Sequence, residues 1–286
     1  MKQQKRVMIV GKKKVLASIA MMSLLGAVIP AAHAATTFDV IGPHEYELPV
    51  NFKPFNVFVQ YGYVQDDSKT YNNNGDKVAG SGAQTIVGLS KYVRFWTPEG
   101  HPDIGLAYEV IVPEIGVRNQ VGSASGFGDP LTGFAIWMKP SPTSTFGFQS
   151  FVQVPVGDNS VSDTNWKNLS SFLWDVRLTD QWGWTADAGM VFQGSKNNGV
   201  KPGNSFHTNQ RLGYRATSLI EPFIAVDYEK IKGSGANPDG FALDTGLGVV
   251  LHTFDNQSIT LRYATTLDAK NHSANDSFNI KYAYVW

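Results

Sequence analysis

Beyond residue 54 the chain is a succession of about twelve segments, each of roughly ten residues, in which apolar and polar side chains alternate. Successive side chains of a β-strand point to opposite faces, so period-two alternation marks a strand that is apolar on one side and polar on the other. The last segment, SFNIKYAYVW, sets Phe278, Ile280, Tyr282, Tyr284 and Trp286 against Ser277, Asn279, Lys281, Ala283 and Val285. DIGLAYEVIV sets Ile104, Leu106, Tyr108, Val110 and Val112 against Gly105, Ala107 and Glu109. NVFVQYGYV sets Val57, Val59, Tyr61 and Tyr63 against Phe58, Gln60 and Gly62. The segments fall near 55–64, 84–96, 104–113, 130–139, 145–155, 171–179, 183–192, 205–215, 219–231, 240–251, 258–266 and 277–286. About ten residues suffice for a tilted strand to cross a bilayer, and no long pattern of period 3.6 competes.

The connections sharpen this. Those after segments 2, 4, 6, 8 and 10 are short: TPEGHPD, PSPTS, DQW, ATS and HTFDNQ. Those after the odd-numbered segments are mostly longer and rich in Asn, Gly, Ser and Asp, as in QDDSKTYNNNGDKVAGSGA and QGSKNNGVKPGN. Short periplasmic turns, long external loops and an even strand number characterise bacterial outer-membrane barrels. The expected fold is therefore all-β: a transmembrane antiparallel up-and-down barrel of about twelve strands over 55–286. It would sit in the outer membrane of a Gram-negative bacterium with both termini periplasmic. Tyr282, Tyr284 and Trp286 would join the periplasmic aromatic girdle, against lipid and lipopolysaccharide, on a terminal strand read by the barrel-assembly machinery. A soluble sandwich alternates too, but rarely keeps aromatic-rich apolar faces over a dozen segments with long and short connections in turn. Two segments fit less well. In QTIVGLSKYVRFW either parity turns a cation outward, Lys91 or Arg94, unless a bulge intervenes or Arg94 snorkels to the interface. Pro222 in LIEPFIAVDYEKI argues for the beginning of a strand.

Residues 1–34 read as a cleaved secretory signal peptide. Lys2, Lys5, Arg6, Lys12, Lys13 and Lys14 stand there without an acid, VLASIAMMSLLGAVIP follows, and AAHA supplies Ala32 and Ala34 as a cleavage site. For an uncleaved anchor the apolar run is short. Removing those six from the 24 Lys and Arg leaves 18 against 24 acids, a net charge of −6. No basic cluster remains, which argues against nucleic acid as a partner. With no cysteine, the chain has neither a disulfide framework nor a lipidated cysteine after the signal.

If the apolar parity faces lipid, the other parity lines the lumen. It collects Glu109, Asp175, Arg177, Asp187, Arg211, Asp227, Glu229, Asp244, Arg262 and Lys281, with Gln60, Gln149, Gln153 and Asn209. These are candidates for solute contact in a charged constriction, or else solvated and salt-bridged struts. Twelve strands stand between side-chain-filled barrels and wide porins, so the expected function is a passive conduit for small solutes. Phe58, Trp137 and Phe151 would offer apolar luminal contacts, and Arg177, Arg211, Arg262 or Lys281 would steer a carboxylate. Two alternatives stay open: a structural barrel with a filled lumen, and an outer-membrane hydrolase using a loop serine with His207 or His272 at the external mouth. His44, His101 and His252 map to the periplasmic side. No G-x-S-x-G elbow or His-x-x-x-His pair is visible, and neither a metal nor a cofactor is expected. Residues 35–54, ATTFDVIGPHEYELPVNFKP, show no alternation. They read as a periplasmic tail or, more sharply, as a plug or latch whose acidic and aromatic HEYELP meets luminal arginines.

GPHEYELPVNF before the first strand, GFGDPLTGFAIWM from Gly126 to Met138, and the terminal aromatic strand resemble the exported family of MetA-pathway phenol-degradation proteins. The resemblance covers essentially the whole mature chain. Its most specific element is Gly126-Phe127-Gly128-Asp129-Pro130 leading into a strand. It implies an outer-membrane β-barrel that admits aromatic or other hydrophobic compounds, and it carries over no catalytic residues.

Overall fold

Twelve long strands follow one another and close. They are β1 (Phe55–Asp66), β2 (Gln84–Trp96), β3 (Ile104–Arg118), β4 (Leu131–Ser141), β5 (Ser144–Gln153) and β6 (Lys167–Arg177), then β7 (Trp182–Gln193), β8 (Ser205–Tyr214), β9 (Ile220–Ile231), β10 (Gly240–Phe254), β11 (Gln257–Lys270) and β12 (Asp276–Val285). This computed structural model describes residues 36–286 except Ala236, so the expected signal peptide and its cleavage site lie outside the described residues. Each strand pairs antiparallel with the next, and β12 returns to β1 in a register running from Val57↔Val285 to Gln65↔Ser277. Closure leaves no unpaired edge for another chain to extend. The expected segments and the observed strands agree in number and order. Short connections gather at one end of the barrel and long ones at the other. At the long-loop end, β3 folds back on Ser123–Phe127, and Lys69–Tyr71 pairs with Lys77–Ala79 and His272–Ser273 in a small separate sheet. Tyr71 seats that sheet against Ala242, Ala269 and Ala274.

The outer face is apolar and exposed, with Phe134, Ile136, Phe148, Phe172, Leu247, Tyr263 and Phe278 among its side chains. A continuous apolar wall of this kind suits lipid rather than water. β1 departs from the expected parity. Val59 and Tyr61 are buried inside with Val57 beside them on the lumen wall, so Phe58, Gln60 and Gly62 turn outward. Phe58 is therefore not a luminal aromatic and Gln60 is not a luminal amide. The reason is physical: β1 is apolar on both faces because its inner face borders an apolar cavity, so polarity no longer separates inside from outside. β2 resolves its two cations without a bulge. Lys91 turns inward to Glu109 at 2.8 Å, while Arg94 stays exposed near the short-turn end and donates to Asn56 Oδ1 at 3.0 Å.

Candidate functional site

Residues 36–52 form a segment that lies against the inner wall of the barrel and is bonded to it. Its backbone turns tightly, with Asp39, Ile41 and Glu47 each donating an N–H to the carbonyl three residues earlier. Phe38 and His44 take positive φ of 61° and 57°. Such conformations persist where surrounding contacts over-determine them, and three sets of contacts do so here.

The first lies in mid-lumen. Arg211 is fully buried and donates Nη1 to Asp227 Oδ1, Nε to the Ile41 carbonyl and Nη2 to the Asp39 carbonyl, each at 2.6 Å. Arg262 donates to the other oxygen of Asp227 and to the same Asp39 carbonyl. Each guanidinium has five donors and Asp227 has two oxygens, so the wall alone does not satisfy both arginines. Backbone carbonyls of the segment supply the missing acceptors. Beside them Asn209 donates to the Thr37 carbonyl at 2.9 Å, and Thr37 to Glu229 at 3.1 Å. Burial pushes the Asp39 carboxyl up to about 7 against the pull of Arg262.

The second set closes the short-turn end. His44 Nε2 meets Glu221 Oε1 at 2.6 Å, its Nδ1 meets Glu47 at 3.2 Å, and its backbone N–H donates to Thr185 Oγ1 at 2.7 Å. Glu47 also takes Arg177 and Arg215, each at 2.5 Å. A Cβ on Gly183 would lie 2.3 Å from the His44 ring, so only glycine leaves the imidazole its place. Burial opposes charge on His44, but the hydrogen bonds with Glu221 and Glu47 prevail and raise its pKa to about 9. His44, Glu47 and Asp175 bring one possible metal ligand each within 4.8 Å of one another. Arg177 and Arg215 already neutralise Glu47 there, so the cluster is an ion-pair latch. Third, Glu45 pairs with Lys281 and accepts from the Tyr61 hydroxyl at 3.0 Å. Burial raises the Glu45 carboxyl, yet Lys281 and Lys91 outweigh it and hold it at about 2.

Between this segment and the barrel wall lies a cavity of about 430 Å³, lined chiefly by β1–β5 and continued by Val250, Thr260, Ala283 and Val285 of β10–β12. Val57, Val59, Val93, Phe95, Ala107 and Trp137 make its wall, and Ile41, Tyr46 and Leu48 close it from the segment. The Trp137 indole donates to the Pro49 carbonyl at 2.7 Å and fits only because Gly105, opposite, has no Cβ. Deeper in, the Phe38 ring stands edge-on to Phe151 and His207, at 6.0 and 5.3 Å between centroids. Among its polar groups Lys91 pairs with Glu109, Lys281 with Glu45, and Gln149 donates to the Tyr46 hydroxyl at 3.3 Å. An apolar pocket with a few fixed polar groups is the usual form of a small-molecule site.

The expected luminal charges all face inward, and they divide by environment. Glu109 and Lys281 border the cavity. Asp175, Arg177, Arg211, Asp227, Glu229 and Arg262 hold or flank the segment. Asp187 joins His207 at 3.2 Å and Asn209 at 2.7 Å, and Asp244 accepts from Thr266 and Asn275. Arg211 and Arg262 do not present free donors to a passing carboxylate, because Asp227 and the segment engage them. The Gly126–Pro130 motif lies in the connection from β3 to β4. Buried Asp129 accepts from the N–H groups of Gly157 and Thr164 at 3.0 Å each, and Phe127 donates to Asp158 at 2.7 Å, tying two long connections together. Trp286 is half exposed, stacked on Tyr284 and near Tyr92. His207 is buried against Asp187 and Phe38, and His272 Nδ1 lies 2.8 Å from the Ser273 carbonyl. Sequence reasoning marked His44 and Glu47 through HEYELP, but it did not single out Arg215, Glu221 or the apolar inner face of β1.

The sequence profile of the family described as "Putative MetA-pathway of phenol degradation" matches residues 45–282. The chain belongs to this family. Among solved structures, this phenol-degradation family member is similar to an outer membrane channel from Pseudomonas putida F1, with a TM-score of 0.73 and 13% identity over 86% of this chain and 100% of that one. It is also similar to the CymD monoaromatic hydrocarbon channel, with a TM-score of 0.50 and 8% identity over 84% of this chain and 89% of that one. At such identities the likeness is one of fold: the closed barrel of outer-membrane channels. No curated protein sequence matches the family member.

Proposed function

We propose that the protein is an outer-membrane channel for passive uptake of small apolar solutes, aromatic ones foremost. The observation that carries this reading is the largely apolar cavity of about 430 Å³ between the segment and the barrel wall, chiefly β1–β5. Its valine, phenylalanine and tryptophan walls suit a planar ring, and Lys91, Tyr46 and Gln149 offer fixed polar partners to a hydroxyl. Membership of a phenol-degradation family and likeness to a monoaromatic hydrocarbon channel support the same solute class. The short turns and both termini would face the periplasm, the signal peptide would be cleaved after Ala34, and lipopolysaccharide would surround the long loops. Tyr282, Tyr284 and Trp286 would form the strand read by the assembly machinery. The hydrolase reading loses support because His207 is fully buried against Phe38 rather than open at the external mouth, and His272 Nδ1 is taken up by the Ser273 carbonyl.

The test is uptake of isotope-labelled phenol by cells carrying the protein in their outer membrane. Val57→Trp, which fills the cavity near the short-turn rim, should return uptake to that of cells without the protein. Uptake equal to the parent chain would contradict the reading. A structural barrel with a filled lumen is the second reading, favoured by the seated segment itself. It predicts no uptake from either chain.

A further inference from the structure

We propose that the outer face of β1–β3 is a docking surface for a second copy of this chain, centred on Gln60, Ser90 and Glu114. These residues lie on adjacent strands, on the parity opposite the cavity-lining Val59, Tyr61, Leu89 and Lys91. Ser90 Oγ stands 2.8 Å from Gln60 Oε1 and 2.7 Å from Glu114 Oε1. The wall beneath is bare. Gly62 pairs with Gly88 and Gly88 with Glu114, and a Cβ on Gly88 would fall 2.5 Å from Glu114 Oε2. The carboxylate thus lies across a furrow of missing side chains. Gly116 continues the furrow with nothing within 4 Å of its Cβ position. Exposed Val64, Ile86, Tyr92 and Ile280 surround it.

A carboxylate on this wall is out of place, since ionisable side chains in the hydrocarbon region are costly and seldom face lipid. Elsewhere the polar groups of the outer face bond to one another, the charged ones included: Arg94 donates to Asn56 and Asp276 accepts from Thr265. Ser150, Asn168 and Ser170 do so, as do Trp184, Gln210 and Thr208. The Glu114 cluster stays open. Among the described residues Glu114 Oε2 accepts no hydrogen bond, and Gln60 Nε2 donates to the Tyr61 carbonyl at 3.1 Å with a second N–H to spare.

Two copies in one membrane share their orientation, so a symmetric pair is related by an axis along the membrane normal. The same cluster then meets itself at the same depth. Each spare Gln60 N–H can reach the open Glu114 oxygen of the other copy, twice by symmetry. Small residues allow close approach within lipid and polar side chains then bond across, which is the combination that joins segments inside membranes. What one copy lacks, the other supplies.

The chain has no cysteine, so a single introduced thiol reports position without background. Gly116→Cys places one in the furrow, and Leu247→Cys places one on the exposed outer face of β10. Proteoliposomes of each full-length variant are treated with a short bismaleimide. The expected result is a covalent dimer from Gly116→Cys, monomer from Leu247→Cys, and a several-fold lower dimer yield when Glu114→Leu is added to Gly116→Cys. Gln60→Leu, which removes the donor and keeps the carboxylate, should give the same loss should Glu114→Leu impair folding. No dimer from Gly116→Cys, or equal yields at both positions, overturns the proposal. So does a monomer by native mass that retains a lipid or small alcohol at the furrow.

Discussion

Trp137 fixes the floor of the cavity with one side chain. It is 1% exposed, donates to the Pro49 carbonyl, and lies parallel to Phe52 at 6.2 Å between centroids. Trp137→Ala removes the indole and the anchor together, and should lower stability by about 3–5 kcal/mol in urea unfolding of the refolded barrel. A change under about 1 kcal/mol would mean the segment does not lean on this residue. His44 governs the latch through its charge. Its raised pKa means that the latch is complete below the ordinary imidazole value of 6.5 and is lost as pH rises through about 9. Glu47 is held well below the carboxylate range by the His44 hydrogen bond and by Arg177 and Arg215, so it stays ionised across that window. A spin label on Pro49→Cys should gain mobility between pH 7 and pH 10, and His44→Gln should remove that dependence. Equal mobility at both pH values in the parent chain would show that the latch does not depend on this imidazole. Residue by residue, polarity read correctly wherever the inner wall is polar. It failed at Phe58 and Gln60, where the inner wall is as apolar as the outer.

As an element, residues 36–52 bound the cavity and bond to the inner wall. The mid-lumen arginines need the carbonyls of Asp39 and Ile41, so the segment and the β8–β11 wall stabilise each other. Deleting residues 36–43 should enlarge the single-channel conductance of the refolded barrel and leave strand content by circular dichroism unchanged. Unchanged conductance would place the constriction elsewhere. The strands were legible because lipid outside and polar groups inside force a period of two on most of them. Strand ends were less so: β6 begins at Lys167, ahead of the expected 171, because Asn168 and Ser170 face outward yet bond to Ser150. The segment was hardest to read. Many of its contacts come from residues more than a hundred positions away, which no local pattern records.

At the scale of the whole molecule the lumen is two-sided. β6–β12 present most of the charges that hold the segment, and β1–β5, continued by Val250, Ala283 and Val285, present most of the apolar wall of the cavity. The division leaves a barrel that is densely bonded to the segment on one side and lined by an apolar cavity on the other. The most direct test is single-channel current through the intact refolded protein in a planar bilayer, with phenol titrated at fixed salt. A small steady current that flickers and falls as phenol rises is expected, and Val57→Trp should remove the phenol effect. A steady current indifferent to phenol would contradict the cavity as the solute path.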